Sequence, residues 1–193
     1  MSTNAASHNI NVVPLSLDSF LASVQRRAYR MALLATHENA DALDIVQDAM
    51  MKLAHNYQGR PAQEWPALFQ RILQNRIMDW HRQRSRRHRW LPFLNRDSEL
   101  DNEDNLDGLF EEMTEQPLQD PAKLLDLAND MEVALKAVEA LPIRQQQAFL
   151  LRAWEGFDVA NTAAAMGCSE GSVKTHYHRA VNNLRQTLLE HCQ

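Results

Sequence analysis

Lys174, Thr175, His178 and Arg179 put four polar side chains within two turns of any helix that carries them. At 100° per residue they share one arc roughly 140° wide. Val173, Tyr177, Ala180, Val181, Leu184 and Leu188 recur at three- and four-residue steps and fill a separate apolar stripe of about 100°. One face is therefore built for burial, and the other presents donors at a pitch suited to base edges and phosphates in a DNA groove.

A second group is basic. Arg71, Arg76, Arg82, Arg84, Arg86, Arg87, Arg89 and Arg96 follow one another with a single acid, Asp79, among them. Arg82, Arg86 and Arg89 step at helical spacing, which suits a row of phosphates whose neutralisation releases counterions. A solvated basic face or an RNA-binding patch fits the same charges. A third group is acidic: Asp41, Asp44, Gln47 and Asp48 lie largely off the apolar face of their segment.

Other chemistries find no residues to carry them. Cys168 and Cys192 are the only cysteines, so neither a disulfide framework nor a cysteine metal site is expected. The histidines are scattered, with no His-Glu-x-x-His spacing, and no acid, base and nucleophile cluster. The expectation is a protein that is not an enzyme and uses no cofactor and no metal. No apolar run is long enough to cross a bilayer and no secretory leader opens the chain, so a cytoplasmic location is expected.

These groups need helices to hold them. Leu17, Phe20, Leu21, Val24, Ala28 and Ala32 mark a helix from about Ser16 to Ala35, with Gln25, Arg26 and Arg30 on its outer face. Ala42, Val46, Ala49, Met50 and Leu53 mark a second, from about Asn39 to Asn56. Gly59 and Pro61 break it, and a third begins near Ala62, with Trp65, Leu68, Phe69, Ile72, Leu73, Ile77 and Trp80 as its stripe. Ten acids without a Lys or Arg fill 97–120, so the formal net charge of −5 hides a basic remainder. A helix ending near Ala140 follows, then one opened by Leu141-Pro142. Asp158 is a suitable N-cap, Gly167 fits a left-handed helix end, and Ser169 can cap the next helix. Short helix, turn and long helix together make a helix-turn-helix.

The C-terminal motifs are Leu141-Pro142, Leu150-Leu151-Arg152, Glu155-Gly156, Gly171-Ser172-Val173-Lys174 and Arg179-Ala180. They resemble region 4 of bacterial RNA polymerase sigma factors of the extracytoplasmic-function type, in the sigma-70 family. Asp41-Ala42-Leu43-Asp44-Ile45-Val46-Gln47-Asp48 resembles that family's region 2.2, and the segment from Trp65 to Arg89 resembles regions 2.3 and 2.4. The resemblance implies an all-α chain of two small helical domains. It divides the sequence into a flexible N-terminus (1–15), region 2 (16–95), an acidic linker (96–119) and region 4 (120–193).

The same resemblance implies the roles. Asp41, Asp44, Gln47 and Asp48 would dock on the clamp of core RNA polymerase, where carboxylates meet a basic partner. Asn75, Arg76, Arg82, Arg86 and Arg89 would hold the opened −10 strand, the Asn amide serving an unpaired base together with the Asn56–Glu64 loop. Ser172, Lys174, Thr175, His178 and Arg179 would read the −35 duplex. Core polymerase, through its β′ clamp and β subunits, and promoter DNA are the implied partners, and an anti-sigma factor is admitted. The linker would run toward the RNA exit path, or serve as a self-repelling tether. The chain departs from the family pattern at Leu68-Phe69, Gln146, Asn161 and His178. A helix-turn-helix regulator acting without polymerase is the alternative, and it would need a sensing domain upstream.

Overall fold

The computed structural model describes residues 16–90 and 131–191, with the side chains of 87–90 and of 191 excepted. The expected flexible N-terminus, the acidic linker and the first part of region 4 lie outside the described residues, as do the side chains of Arg87, Arg89 and Trp90. All described elements are helical, in keeping with the all-α expectation. They are α1 (Leu17–Thr36), α2 (Asn39–Tyr57), a 3₁₀ turn (Ala62–Glu64), α3 (Trp65–Trp90), α4 (131–139), α5 (Ile143–Phe149), α6 (Val159–Met166) and α7 (Glu170–His191).

The boundaries have local causes. Ser16 caps α1 in a capping box with Ser19, satisfying amides that the first turn leaves without partners. His37, at φ 57°, turns the chain out of α1 in the left-handed region, and its N–H bonds the Leu33 carbonyl at 2.8 Å. The β-branched Thr36 sends its hydroxyl back to the Ala32 carbonyl at 2.9 Å, so a buried polar group is not left unmatched. Pro61 then precedes the single 3₁₀ turn that leads into α3.

α1, α2 and α3 enclose one core. Phe20 meets Phe69 edge-on at 6.1 Å and Trp65 at 5.9 Å. Phe69 and Leu53 are fully buried, and truncating a ring in such a position typically costs about 3–5 kcal/mol. One expectation fails here. Arg30 was placed on the outer face of α1, yet it is only 8% exposed. The C-terminal half of α1 is enclosed on several sides, with Met31, Ala32, Leu34, Ala35 and Thr36 also buried, so a face polar by type is not solvated there.

That enclosure arises because the C-terminal half packs on the N-terminal one. Leu135, Val138, Leu141, Leu150, Ala180 and Leu184 belong to the same apolar cluster as Met31, Leu34 and Ile77. A satellite cluster of Ala148, Leu151, Ala163, Ala165, Met166 and Val173 holds the helix-turn-helix together. α6 lies along α3. Buried amides stitch the seam: Gln146 donates to the Leu34 carbonyl at 3.0 Å and the Val138 carbonyl at 3.1 Å. Gln147 donates to the Gln74 side-chain oxygen at 2.9 Å.

Beside them Glu155 follows a π-helical turn (Leu150–Trp154), in which Leu150 O accepts from the Glu155 N–H. Burial pushes the Glu155 carboxyl above its usual range, against the opposing pull of Arg27 on α1 and a hydrogen bond with Gln70 on α3. A carboxyl raised in the folded chain favours folding fully below the unfolded value of 4.5, and that contribution is lost as pH rises through the raised value. Glu155→Gln should therefore be at least as stable as the wild type at neutral pH. Its advantage should shrink as pH drops toward and below 4.5, read from thermal unfolding across that range. A Gln variant whose deficit is largest at neutral pH and fades on acidification would mean that the carboxylate is held mainly by Arg27.

Candidate nucleic-acid interface

The helix-turn-helix is built by capping chemistry. Asp158, extended at φ −70° and ψ 175°, accepts the Asn161 N–H at 2.7 Å and opens α6. Asn161 replaces the acid that would complete a reciprocal box, so a single cap bond holds this end. Gly167, at φ 61° and ψ 43°, closes α6, and the Ala163 carbonyl accepts the following Cys168 N–H at 3.1 Å. Arg144 from α5 donates to the Met166 carbonyl at 3.0 Å, satisfying another group at the same helix end. Ser169 then accepts the Ser172 N–H at 3.2 Å and starts α7.

On α7 the two arcs separate as the spacing predicts. Val173, Ala180 and Leu184 are buried, and Tyr177 stacks on Phe149 at 6.4 Å beneath the Arg152 guanidinium. Lys174, Thr175, His178 and Arg179 are exposed together on the opposite side. Ser172 stands apart from them: half-buried, its hydroxyl lies 2.9 Å from that of Ser169. Thr175 bonds the Gly171 carbonyl at 3.0 Å, and Asn182 approaches the His178 ring one turn on. Asn183, which donates to Gln145 at 3.0 Å, fixes α7 against α5.

α3 carries the second cluster. Asn75, Arg82 and Arg86 are exposed on one side of it, with Arg71 beside them. Arg82 pairs with Asp79 at 3.2 Å, a solvated contact worth at most about 1 kcal/mol. Arg76 does not join this arc. It points to α2, where its guanidinium lies 3.6 Å from Asp48, and its Nε is buried without a partner. Arg89 lies outside the residues whose side chains are described. Trp80, on the expected apolar stripe, is half-buried and packs against the core, with the Arg84 guanidinium 5.2 Å from its ring centre.

On α2, Asp44, Gln47 and Asp48 are exposed and Asp41 is half-buried. A shallow groove of about 330 Å³ between α1 and α2 is lined by Gln25, Tyr29, Leu43, Val46, Gln47 and Met50. Spacing did not reveal this groove, since Leu43 lies off the apolar stripe and is 48% exposed. Among the described residues no group of His, Cys, Asp or Glu is arranged to hold a metal ion, and no helix is long and apolar enough to cross a membrane.

Comparison with known proteins agrees with this layout. Residues 18–87 match the family model for sigma-70 region 2, and residues 131–184 match that for sigma-70 region 4. The RNA polymerase sigma-E factor of Streptomyces antibioticus is 30% identical over 149 residues, covering 77% of this chain and 71% of that protein. The sigma-E factor of Streptomyces avermitilis is 27% identical over 175 residues, 90% and 86% of the two chains. The ECF RNA polymerase sigma factor SigM of Mycobacterium tuberculosis is 27% identical over 178 residues, 90% and 77% of the two. Among solved structures, the sigma factor RpoE of Bartonella quintana, in co-crystals with the anti-sigma factor NepR, shares the fold. Its TM-score is 0.61 at 24% identity, covering 89% of this chain and 95% of that one.

The chain belongs to the sigma-70 family, as an RNA polymerase sigma factor of the extracytoplasmic-function type. It is a regulatory polymerase subunit that binds core RNA polymerase and promoter DNA and directs promoter-specific transcription. An operator-binding regulator that works without polymerase is not favoured, because region 2 accounts for the whole of 18–87.

The turn supports one test of the scaffold under α7. A β-carbon at Gly167 meets no atom within 4 Å, so only the positive φ resists substitution. Gly167→Asn should be tolerated, whereas Gly167→Val should lower stability by roughly 1–2 kcal/mol or more. Equal melting temperatures for the two variants would show that the turn relaxes out of the left-handed region.

Proposed function

We propose that three exposed faces divide the work of this sigma factor. Asp44, Gln47 and Asp48, with Asp41 at their edge, dock on the β′ clamp of core polymerase. Asn75, Arg82, Arg86 and Arg89 hold the opened −10 strand, the amide taking an unpaired base and the guanidinium groups its phosphates. Lys174, Thr175, His178 and Arg179 read the −35 duplex from the major groove, with Ser172 setting the start of their helix. The observation that carries this reading is exposure: the described members of each set, Asp41 and Ser172 excepted, lie open to solvent on a helix whose other side is buried.

Arg76 has a different part in the same scheme. Paired with Asp48, it ties the docking helix to the strand-holding helix, so that polymerase contact and DNA contact are fixed relative to one another. The domain limits follow the same division, with region 2 over 16–95, the acidic linker over 96–119 and region 4 over 120–193. The protein works in the cytoplasm, where polymerase is, and lends recognition rather than catalysis. An anti-sigma factor is a fitting further partner, since the Bartonella quintana relative in fold is found with one.

Replacing Gln47 with Ala and Asp48 with Lys should lower the affinity for core polymerase about tenfold or more. Folding stability should change by no more than about 1 kcal/mol, because the Asp48–Arg76 pair is solvated. Unchanged core affinity in a titration with pure polymerase would remove α2 from the docking face.

Opening is tested at Asn75. Each duplex step costs about 1.4 kcal/mol of stacking, so the separated strand must be captured to stay open. Asn75→Ala should retain core binding and −35 protection yet leave −10 thymines unreactive to permanganate. A promoter carrying a mismatched −10 bubble should restore part of its activity. Normal permanganate reactivity on duplex promoter would assign Asn75 a structural role and strand capture to other residues.

A further inference from the structure

We propose that His176, on the flank of α7, joins Arg144 of α5 in a seat for one backbone phosphate of the −35 duplex and takes up a proton as the DNA arrives. Affinity for the −35 element then rises as the surroundings turn acidic. The proposal rests on the reading of α7 as the −35 reader, and adds to it two residues outside the exposed arc.

Position on the helix is the first ground. His176 lies about 60° round α7 from Arg179, at three residues and roughly 100° each. It stands at the edge where the exposed arc meets the stripe of Val173, Ala180 and Leu184 that packs inward. Accordingly it is half-buried, between the exposed Arg179 and the enclosed Ala180. A side chain at the rim of a groove-reading helix meets the sugar-phosphate wall of the groove rather than its base edges.

Arg144 and the local charge are the second ground. Arg144 Nη1 donates to the Met166 carbonyl at 3.0 Å and to the Gln147 side-chain oxygen at 3.3 Å, so its guanidinium is fixed against the turn before α7. A guanidinium has five N–H donors, and both bonds leave from one nitrogen, so the same group can hold the turn and meet an anion. Burial first, then the charges of Arg144 and Arg179, hold the His176 imidazole below its usual value of 6.5. The elements around it bring no carboxylate: α5 and α6 carry none, and the turn between α6 and α7 adds only the Cys168 thiol. On α7 itself the nearest acid is Glu170, in the first turn and about 120° round the helix. Two cations and an imidazole thus meet with no acid among them, and a phosphate is the anion that a DNA backbone supplies.

A phosphate in this seat reverses the balance. It favours the imidazolium that the two guanidinium groups oppose, and it accepts a charge-assisted hydrogen bond from the ring. Phosphate binding and protonation of His176 then strengthen each other to the same degree. Well above the bound ring's value the imidazole is neutral with or without DNA, and below the free ring's value it is charged in both. The gain in affinity therefore comes as pH falls through the bound value, and it levels off below the free value, which lies under 6.5.

The test uses holoenzyme reconstituted from core polymerase and the full chain, with a promoter duplex that keeps its −35 element and ends before −10. At constant salt, the affinity of the native chain relative to His176→Gln should rise about threefold or more between about pH 8 and about pH 6. His176→Lys, charged throughout, should show a constant ratio to His176→Gln over that range. The salt slope of the native chain should steepen by about one on acidification, relative to that of the Gln variant. Arg144→Gln removes a repelling cation, so the His176 ring of the free chain, followed by NMR, should titrate at a higher pH than in the native chain. Inorganic phosphate at matched ionic strength should leave the native advantage at low pH in place; if it erases that advantage, the seat serves a free anion and the assignment to DNA is overturned. A native-to-Gln ratio that stays flat with pH overturns the proposal, as does a ring titration indifferent to Arg144→Gln. Should the Gln variant fail to fold, the native ring decides: a titration midpoint unmoved by the duplex overturns the proposal equally. Undiminished affinity of Arg179→Ala for the same duplex would instead count against the reading of α7 itself, whatever the ratio at His176.

Discussion

The fold depends on how α3 is shared. One side, with Phe69, Ile72 and Leu73, closes the core against α1 and α2. A second side, with Gln70, Gln74 and Ile77, receives the C-terminal half. A third carries Asn75, Arg82 and Arg86 into solvent. A single α-helix has room for three such faces because each needs only about a third of its circumference. Each face constrains the others: Asn75, Arg82 and Arg86 are held as firmly as the packing behind them, and the packing serves both halves of the chain.

Electrostatics follows the same partition. The chain as a whole is acidic, which at first sight opposes binding to DNA. The local field is what a phosphate meets, however, and beyond about 8–10 Å other charges are largely screened at physiological ionic strength. Arg82 and Arg86 on α3, and Lys174 and Arg179 on α7, present cations at the surface, while Asp44 and Asp48 present anions on the neighbouring α2. One small molecule can thus carry basic and acidic faces side by side. The Arg76–Asp48 pair sits on the border between the two.

The helix positions, the caps at Asp158, Gly167 and Ser169, and the split of α7 into two arcs were legible in the residues, because they rest on local periodicity and backbone geometry. What was not legible depends on contacts between distant segments. Gln146 looked like a departure from the family pattern, and its partner, the Leu34 carbonyl, lies 112 residues away. Gln70 and Gln74 are buried although glutamine is ordinarily solvated, so residue type alone does not mark them as contacts. Arg30 is buried although it lies off the apolar stripe: periodicity marks which side of α1 is apolar, but not what else encloses the end of the helix. The role of Arg76 likewise needed the position of Asp48 in space.

Native-state hydrogen exchange on the free full-length chain tests the central claim most directly, that α3 serves both halves as one cooperative unit. Backbone amides of α5 and α6 should then be protected to within a few fold of those of α3 around Gln74 and Ile77, because both open in the same event. If α5 and α6 exchange orders of magnitude faster than α3, with the α1–α3 core still protected, the two halves are independent bodies and the account of a shared α3 is wrong.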